Sequence, residues 1–315
     1  MRIKLVGFLS AALLVVSVVP CLPQDAPTQG TLTYTQIPDL CCSGNRANGI
    51  NSRGDIVGHY FEPSGLRHGY LFESGSAAPA PIDFSTAPFD TPGGTSARGI
   101  NAQGNIVGDY IDGVGVDHGY LFSNGVFTSI DATSLGAVDT VAHGLNDIGE
   151  IVGDYIDSGG KFHAFLLSNG VFQTIDFPLS ASTFAQSSGR GIANNGTIVG
   201  RYFDASGFQH GFERSPAGVF TSITDSAAAF TFSVGINAER DVVGSYTDVV
   251  DRGGEKVVGS HGFLLSAGDL TDFIPVDFPA TGVMGTQARG INPSGTIVGA
   301  FVDSAGAYHG FVATR

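Results

Sequence analysis

The sequence predicts an all-β fold, a six-bladed β-propeller of four-stranded antiparallel blades closed by an N-terminal strand. Three observations lead there. One unit recurs six times with a period of about 45 residues. Each copy holds four short β-rich segments parted by turn signals. The last copy lacks a fourth segment, and the start of the chain supplies a matching one.

The unit reads Arg-Gly-Ile-Asn-x-x-Gly-x-Ile-Val-Gly-x-Tyr-x-Asp-x-x-Gly-x-x-His-Gly-Phe-Leu, followed by an Asn-Gly turn and Val-Phe-x-x-Ile-Asp-Phe. Its first glycine falls at Gly49, Gly99, Gly144, Gly191, Gly235 and Gly290, and another follows nine residues later in every copy, from Gly58 to Gly299. A histidine stands nineteen residues after the first glycine at His68, His118, His163, His210 and His309. In the fifth copy seven extra residues within 249–258 push it back to His261.

Turn chemistry divides each copy. Asn101-Ala-Gln-Gly104 and Asn292-Pro-Ser-Gly295 place Asn first and Gly fourth, the preference of a type I turn with a glycine bulge. Asn105 to Asp112 then reads as a second strand, being rich in β-branched and aromatic residues. Asp157-Ser-Gly-Gly160 marks the next turn. His118 to Phe122 is apolar on both faces, as expected of a third strand covered on each side. Ser123-Asn-Gly125 is a hairpin signal, and Val126 to Asp131 makes the fourth strand. No helical period follows the leader.

The final copy stops at His309-Gly-Phe-Val-Ala-Thr-Arg315, a third strand without a fourth, whereas Leu32-Thr-Tyr-Thr-Gln-Ile37 matches Val126-Phe-Thr-Ser-Ile130. The N-terminal segment is therefore expected to complete the last blade and close the ring, leaving few free edges. Residues 31–315 read as one repeat domain, with a β-solenoid or β-prism as the competing architecture.

The recurrence of Gly-Ile-Asn-x-x-Gly-x-Ile-Val-Gly ahead of His-[Gly/Ala]-[Phe/Tyr]-Leu resembles the HAF repeat, a family named for a His-Ala-Phe tripeptide and found mostly in predicted extracellular bacterial proteins. His163-Ala164-Phe165 is that tripeptide, and the other copies carry Gly in the middle. The resemblance runs from Thr31 to Arg315. It implies export and β-propeller-like repeats, and it implies little about activity. Many relatives end in a Pro-Glu-Pro sorting tail; the last repeat here is followed by none, so surface sorting by that route is not expected.

Export is also read directly from the N-terminus. Met1, Arg2 and Lys4 precede an apolar run from Leu5 to Val19 that stops at Pro20, the layout of a signal peptide, placed at 1–24. The run is too short for a convincing membrane span. The mature protein is expected to be secreted, extracellular or periplasmic. Cys21 follows Val-Val-Pro, a poor match to a lipoprotein box, so lipid anchoring is not expected. The formal net charge is −14, and Arg2 and Lys4 would leave with the leader. Such a surface repels nucleic acid and anionic membranes. Cys41 and Cys42 have no His or Cys partner at ligand spacing, so neither a metal nor a cofactor is expected.

The repeated histidines invite a metal reading. Each opens a third strand, however, away from a propeller's axis, and is expected to bond within its own blade or to its neighbour. Asp112, Asp157, Asp204 and Asp303 fall in turns, while Asp83, Asp131, Asp176 and Asp277 end outer strands. Catalytic carboxylates would be unlike one another rather than copied around a ring. No Gly-x-Ser-x-Gly elbow, phosphate loop or His-Glu-x-x-His occurs. One position departs from uniformity. The residue before the first glycine is Arg98, His143, Arg190 or Arg289 in four copies, and Asn48 or Val234 in the others. These four should gather at one mouth of the central channel, on the face of the second turns, as a candidate site for an anionic small molecule or glycan. Packing of the arginine stems between blades is the competing role.

These readings favour a secreted, non-catalytic module that binds an extracellular carbohydrate or an envelope partner. The alternative is a propeller hydrolase or lyase acting on extracellular polysaccharide, which rests on analogy of fold. An enzyme needs unlike residues converging on one place. The asymmetries in the sequence are the insertion in the fifth copy and the Cys41-Cys42 pair.

Overall fold

The computed structural model describes residues 32–40, 44–84, 94–179, 186–225, 228, 230–251 and 256–315. The leader at 1–24 with Cys21, the Cys41-Cys42 pair and the tip of the fifth-copy insertion at 252–255 lie outside the described residues. The chain is an all-β propeller of four-stranded antiparallel blades. In each of the first four repeats the strands pair in chain order from inner to outer. The third, for example, runs Ala137–Leu145, Ile151–Asp157, Phe162–Ser168 and Val171–Thr174.

The turns form as their residues dictate. Asn101 and Asn105 close the first hairpin of the second repeat through Asn101 N to Asn105 O at 3.1 Å, and Gly104 N returns to Asn101 O at 3.0 Å. Asn124 and Gly125 both adopt positive φ, 51° and 79°, which gives the primed turn whose twist matches the flanking strands.

The fifth and sixth repeats share one eight-stranded sheet, whose two antiparallel halves meet through a single parallel pair, Ser260 with Gly285. The outer strand of the sixth repeat is Thr33–Gln36, antiparallel to Tyr308–Thr314, with Thr33 opposite Thr314 and Gln36 opposite Phe311. Leu32, Tyr34 and Ile37 are buried, and a slip of one residue would turn Tyr34 out to solvent, which fixes the register. The insertion of the fifth repeat lengthens two strands rather than a loop: Val242–Asp251 and Lys256–Leu265 pair along ten residues each.

Apolar clusters lie between successive sheets rather than in one central core. Val107 of the second repeat packs with Ala142, Leu145, Tyr155 and Phe165 of the third. A second tie runs through buried asparagines at the inner ends of the sheets. Each side-chain amide donates to the backbone of the next repeat: Asn51 to Asn101 O, Asn101 to Asn146 O, Asn146 to Ala193 O, Asn237 to Asn292 O, and Asn292 to Asn51 O, at 3.1–3.3 Å. The last of these joins the sixth repeat to the first. In the fourth repeat Ala193 takes the asparagine's place. Among the described residues no helix is long and apolar enough to cross a membrane.

Candidate functional site

In all six repeats the pairing of the first two strands slips by one residue at the same place, between Ala97 and Gly99 in the second repeat and between Ala142 and Gly144 in the third. A bulge of this kind leaves one residue out of the ladder and re-aims its side chain. The residue left out is Asn48, Arg98, His143, Arg190, Val234 or Arg289, and these six line one cavity of about 40 Å³. The structure thus brings the four sequence-predicted residues together, with Asn48 and Val234 completing the ring. The glycine that follows each of them is required by close approach: a Cβ on Gly99 would lie 2.9 Å from His143 O and 3.1 Å from the Cα of Gly144.

The ring is tied to buried carboxylates on the second strands. Asp109 takes Arg98 on one oxygen and Arg67, at 2.5 Å, on the other. Asp154 accepts from His143 Nε2 at 2.9 Å and from Ser188, and Arg190 lies 3.8 Å away. Arg190 Nη1 donates to His143 Nδ1 at 3.1 Å, so this imidazole is neutral with its proton on Nε2. Burial first, and Arg190 second, push His143 down to about 3. Burial alone would raise the Asp154 carboxyl, but His143 and Arg190 hold it well below the usual carboxylate range. Among the described residues Arg289 bonds neutral oxygens, Gln287 Oε1 at 2.6 Å and Asn48 Oδ1 at 3.3 Å. Burial, then the guanidiniums of Arg46, Arg98 and Arg201, bring it down to about 9.

The repeated histidines lie away from this ring and bond within their own sheets. His118 Nδ1 sits 2.8 Å from Asp131 and its Nε2 3.3 Å from Asp112, while the ring stacks on Tyr110 with centroids 5.0 Å apart. His163 repeats this with Asp176 and Asp157, and His309 with Asp39 and Asp303. Asp112 Oδ1 also accepts the amides of Val114 and Val116, both at 2.9 Å, which is the turn role read from the sequence. The sequence reading treated the histidines, turn aspartates and outer-strand aspartates as three separate sets, and the structure joins them into one. Among the described residues no group of three or more His, Cys, Asp or Glu side chains is arranged to hold a metal ion.

A second cavity, of about 250 Å³, opens between the fifth and sixth repeats. Its polar wall is Asp248, Ser260, His261 and Asp277, and its apolar wall includes Phe278, Val283 and Met284. It exists because the fifth-repeat strands run on. Asp248 occupies the place where other repeats turn, but here it pairs in the ladder opposite Gly259. Among the described residues its Oδ1 accepts no hydrogen bond, and His261 Nε2 lies 3.5 Å from it, against 3.0–3.3 Å in the other five repeats. Asp277 is fully engaged, with His261 Nδ1 at 2.9 Å and Gly262 N at 3.1 Å. Sequence reasoning did not name this site. The seven extra residues were the signal, and they mark the region without showing which side chains the longer strands would release.

No protein-family model and no curated protein matches the chain. Solved structures do. A protein of unknown function from Dyadobacter fermentans superposes with a TM-score of 0.53 at 10% identity, over 89% of this chain and 99% of that one. The lectin of the fungus Aleuria aurantia, described as a six-bladed β-propeller that recognises fucose, gives 0.52 at 11% identity, over 85% and 90% of the two chains. A Trypanosoma rangeli sialidase bound to the inhibitor DANA gives 0.52 at 11% identity, over 86% of this chain and 55% of the sialidase. Identities this low establish a shared fold, and that fold hosts a lectin and an enzyme alike.

Proposed function

We propose that the chain is a six-bladed propeller of the HAF-repeat kind that serves outside the cytoplasm as a non-catalytic carbohydrate-binding module. The blade count takes the eight-stranded sheet as two blades touching at Ser260 and Gly285. Six identical bulges and the asparagine tie from the sixth repeat back to the first support it. The observation that carries the binding reading is the cavity between the fifth and sixth repeats, whose wall includes the partly exposed Asp248 carboxylate, held by His261 only at 3.5 Å. A sugar offers hydroxyl donors along its edge and a C–H face. Asp248 and Ser260 suit the edge, while Val283 and Met284, the latter 57% exposed, suit the face. Two carboxylates in the wall repel an acidic sugar, so the ligand is a neutral one. Asp277 has both oxygens engaged, and the same histidine–carboxylate pair recurs around the molecule, which suits holding rather than proton transfer. The Aleuria lectin lends support as a fucose-recognising protein of this fold.

A glycan array followed by calorimetry tests this reading. A neutral glycan should bind the wild type, and Asp248→Asn and Met284→Ser should each weaken it by about tenfold. Equal affinity in all three proteins, or no glycan bound by any, would overturn it. Turnover of the bound glycan would replace it with the hydrolase or lyase reading.

A further inference from the structure

The region around the six bulged residues holds more positive than negative charge, on arginines that are half-buried. Arg98, Arg190 and Arg289 stand in the ring, and Arg46, Arg67 and Arg201 act on them or on their partners from close by. The carboxylates that answer them are Asp109 and Asp154, both buried, with Asp117 as a further contributor at Arg98. Each of the buried two is already shared: Asp109 by Arg98 and Arg67, Asp154 by His143, Arg190 and Ser188. Arg46, Arg201 and Arg289 make no ion pair among the described residues. Arg46 lies over the Tyr308 ring at 3.6 Å, and Arg201 bonds the amide oxygen of Gln209 at 3.2 Å. Among the described residues the Nε atoms of Arg46, Arg67, Arg201 and Arg289 are buried without an acceptor. Unmet buried donors and unbalanced half-buried charge are both costly, and arginine seldom escapes by releasing its proton. An anion in the ring cavity would reach the three guanidiniums that line it, Arg98, Arg190 and Arg289, and would offset the surrounding positive charge.

The order of residues around the ring specifies the shape of that anion, on the six-bladed reading. Going round, the bulged residues are Asn48, Arg98, His143, Arg190, Val234 and Arg289. The guanidiniums fall at every second place, a threefold arrangement that matches three oxygens of a tetrahedral ion. A cavity of about 40 Å³ has room for about three water molecules. A sulfate-sized ion fits that space, and a sugar ring does not. We propose that the ring of Arg98, Arg190 and Arg289 binds a free tetrahedral oxyanion, sulfate or phosphate in kind, within the propeller channel. This site is separate from the proposed glycan cavity and carries the opposite charge.

The test uses the full chain as exported. Inorganic sulfate is titrated by calorimetry beside galactose 6-sulfate, on the wild type and on Arg289→Gln and Arg98→Gln. Crystals grown with selenate then show where the ion lies. Sulfate should saturate one site and bind more tightly than the sugar ester, and each variant should weaken it by about tenfold. An anomalous selenium peak should stand between the three guanidiniums. The same map counts the blades, so a wrong blade number is recognised separately from an empty ring. If a variant fails to fold, the wild-type map still decides. No axial peak, equal sulfate affinity in folded variants, or binding of the sugar ester alone would overturn the proposal.

Discussion

Histidine stands in two regions of this propeller, and His118, His163 and His309 in one are shifted oppositely to His143 in the other. Outside the bulged ring, His118 and His163 are raised: burial pulls them down, but Asp131 with Asp112, and Asp176 with Asp157, more than offset it. His309 is raised chiefly by Asp39, with Asp303 adding to it against burial. At the ring, burial and then Arg190 drive His143 to about 3, and burial and nearby arginines hold His59, a second-strand residue 3.0 Å from Asn48 of the ring, well below its ordinary value. The outer set repeats one side chain six times between two polar partners. The inner set repeats one backbone bulge six times and changes the side chain. A repeated side chain in a repeated setting is a structural device, whereas a repeated backbone with varied side chains is where such a molecule can specify a ligand.

The sharpest way to break this comparison is to remove one member of a histidine–carboxylate pair from each region. Asp154→Ala strips Arg190 and His143 of their shared partner inside the fold, and breaking a buried pair of this kind costs about 3–5 kcal/mol. His163→Ala in the same repeat loses two partly exposed contacts and a ring stack, about 1 kcal/mol. Urea unfolding midpoints measure both. Equal losses would mean that the inner ring is no more tightly built than the outer set.

Backbone packing gives a second contrast of smaller size. A Cβ on Gly144 would meet Arg190 O at 2.7 Å and the Cα of Gly191 at 3.2 Å, both rigid backbone from the next repeat. Gly144→Ala should therefore cost about 3 kcal/mol through overpacking. Gly115 sits in a surface turn at φ +91° with nothing within 4 Å of a new Cβ. Gly115→Ala should cost about 1–2 kcal/mol, through its backbone conformation alone. Thermal melts of the two variants decide, and a smaller loss at Gly144 would show that neighbouring blades can move apart.

Much of this architecture is legible because it rests on local chemistry repeated in register. Asn101 to Gly104 and Asn124-Gly125 announce their turns, and the likeness of Leu32 to Ile37 to Val126 to Ile130 announces the N-terminal strand that pairs with Tyr308–Thr314. The residues before the first glycines could be named because their variety stands out against uniform neighbours. Their counter-ions could not. Asp109 and Asp154 occupy a second-strand position held by His59, Arg201, Ser245 and Ala300 in the other repeats, so no pattern flags them. Whether an arginine meets a carboxylate, as Arg98 meets Asp109, or an amide oxygen, as Arg289 meets Gln287, depends on reach across the fold. The cavity at Asp248 was hidden for a related reason. The placing of Asp248 in its wall follows from strands continuing where a turn would have engaged that carboxylate, and the length of an insertion does not state whether it will form loop or ladder.

The smallest expected effect is the most direct test of the opposed histidines. His143 binds its proton at about 3 in the fold, whereas an unperturbed imidazole titrates near 6.5. As pH falls below that value the unfolded chain takes up a proton that the folded ring refuses, so the wild type loses stability on acidification. His143→Gln keeps a donor for Asp154 and carries no titratable group. The stability difference between wild type and this variant should therefore shrink by about 1 kcal/mol between about pH 7.5 and 5.5. His163→Gln should behave in the opposite sense. Its raised value means that the wild-type advantage is complete below 6.5 and fades as pH rises through the folded value. The turn aspartates leave that window flat: Asp112, Asp157, Asp204 and Asp303 are held below 3.8, and their contribution is lost only as pH falls through still lower values. Chemical unfolding in one buffer series gives both differences against pH. Lines of opposite slope would establish that one residue type is tuned two ways by its distance from the channel, and parallel lines would show that the two regions present the same environment.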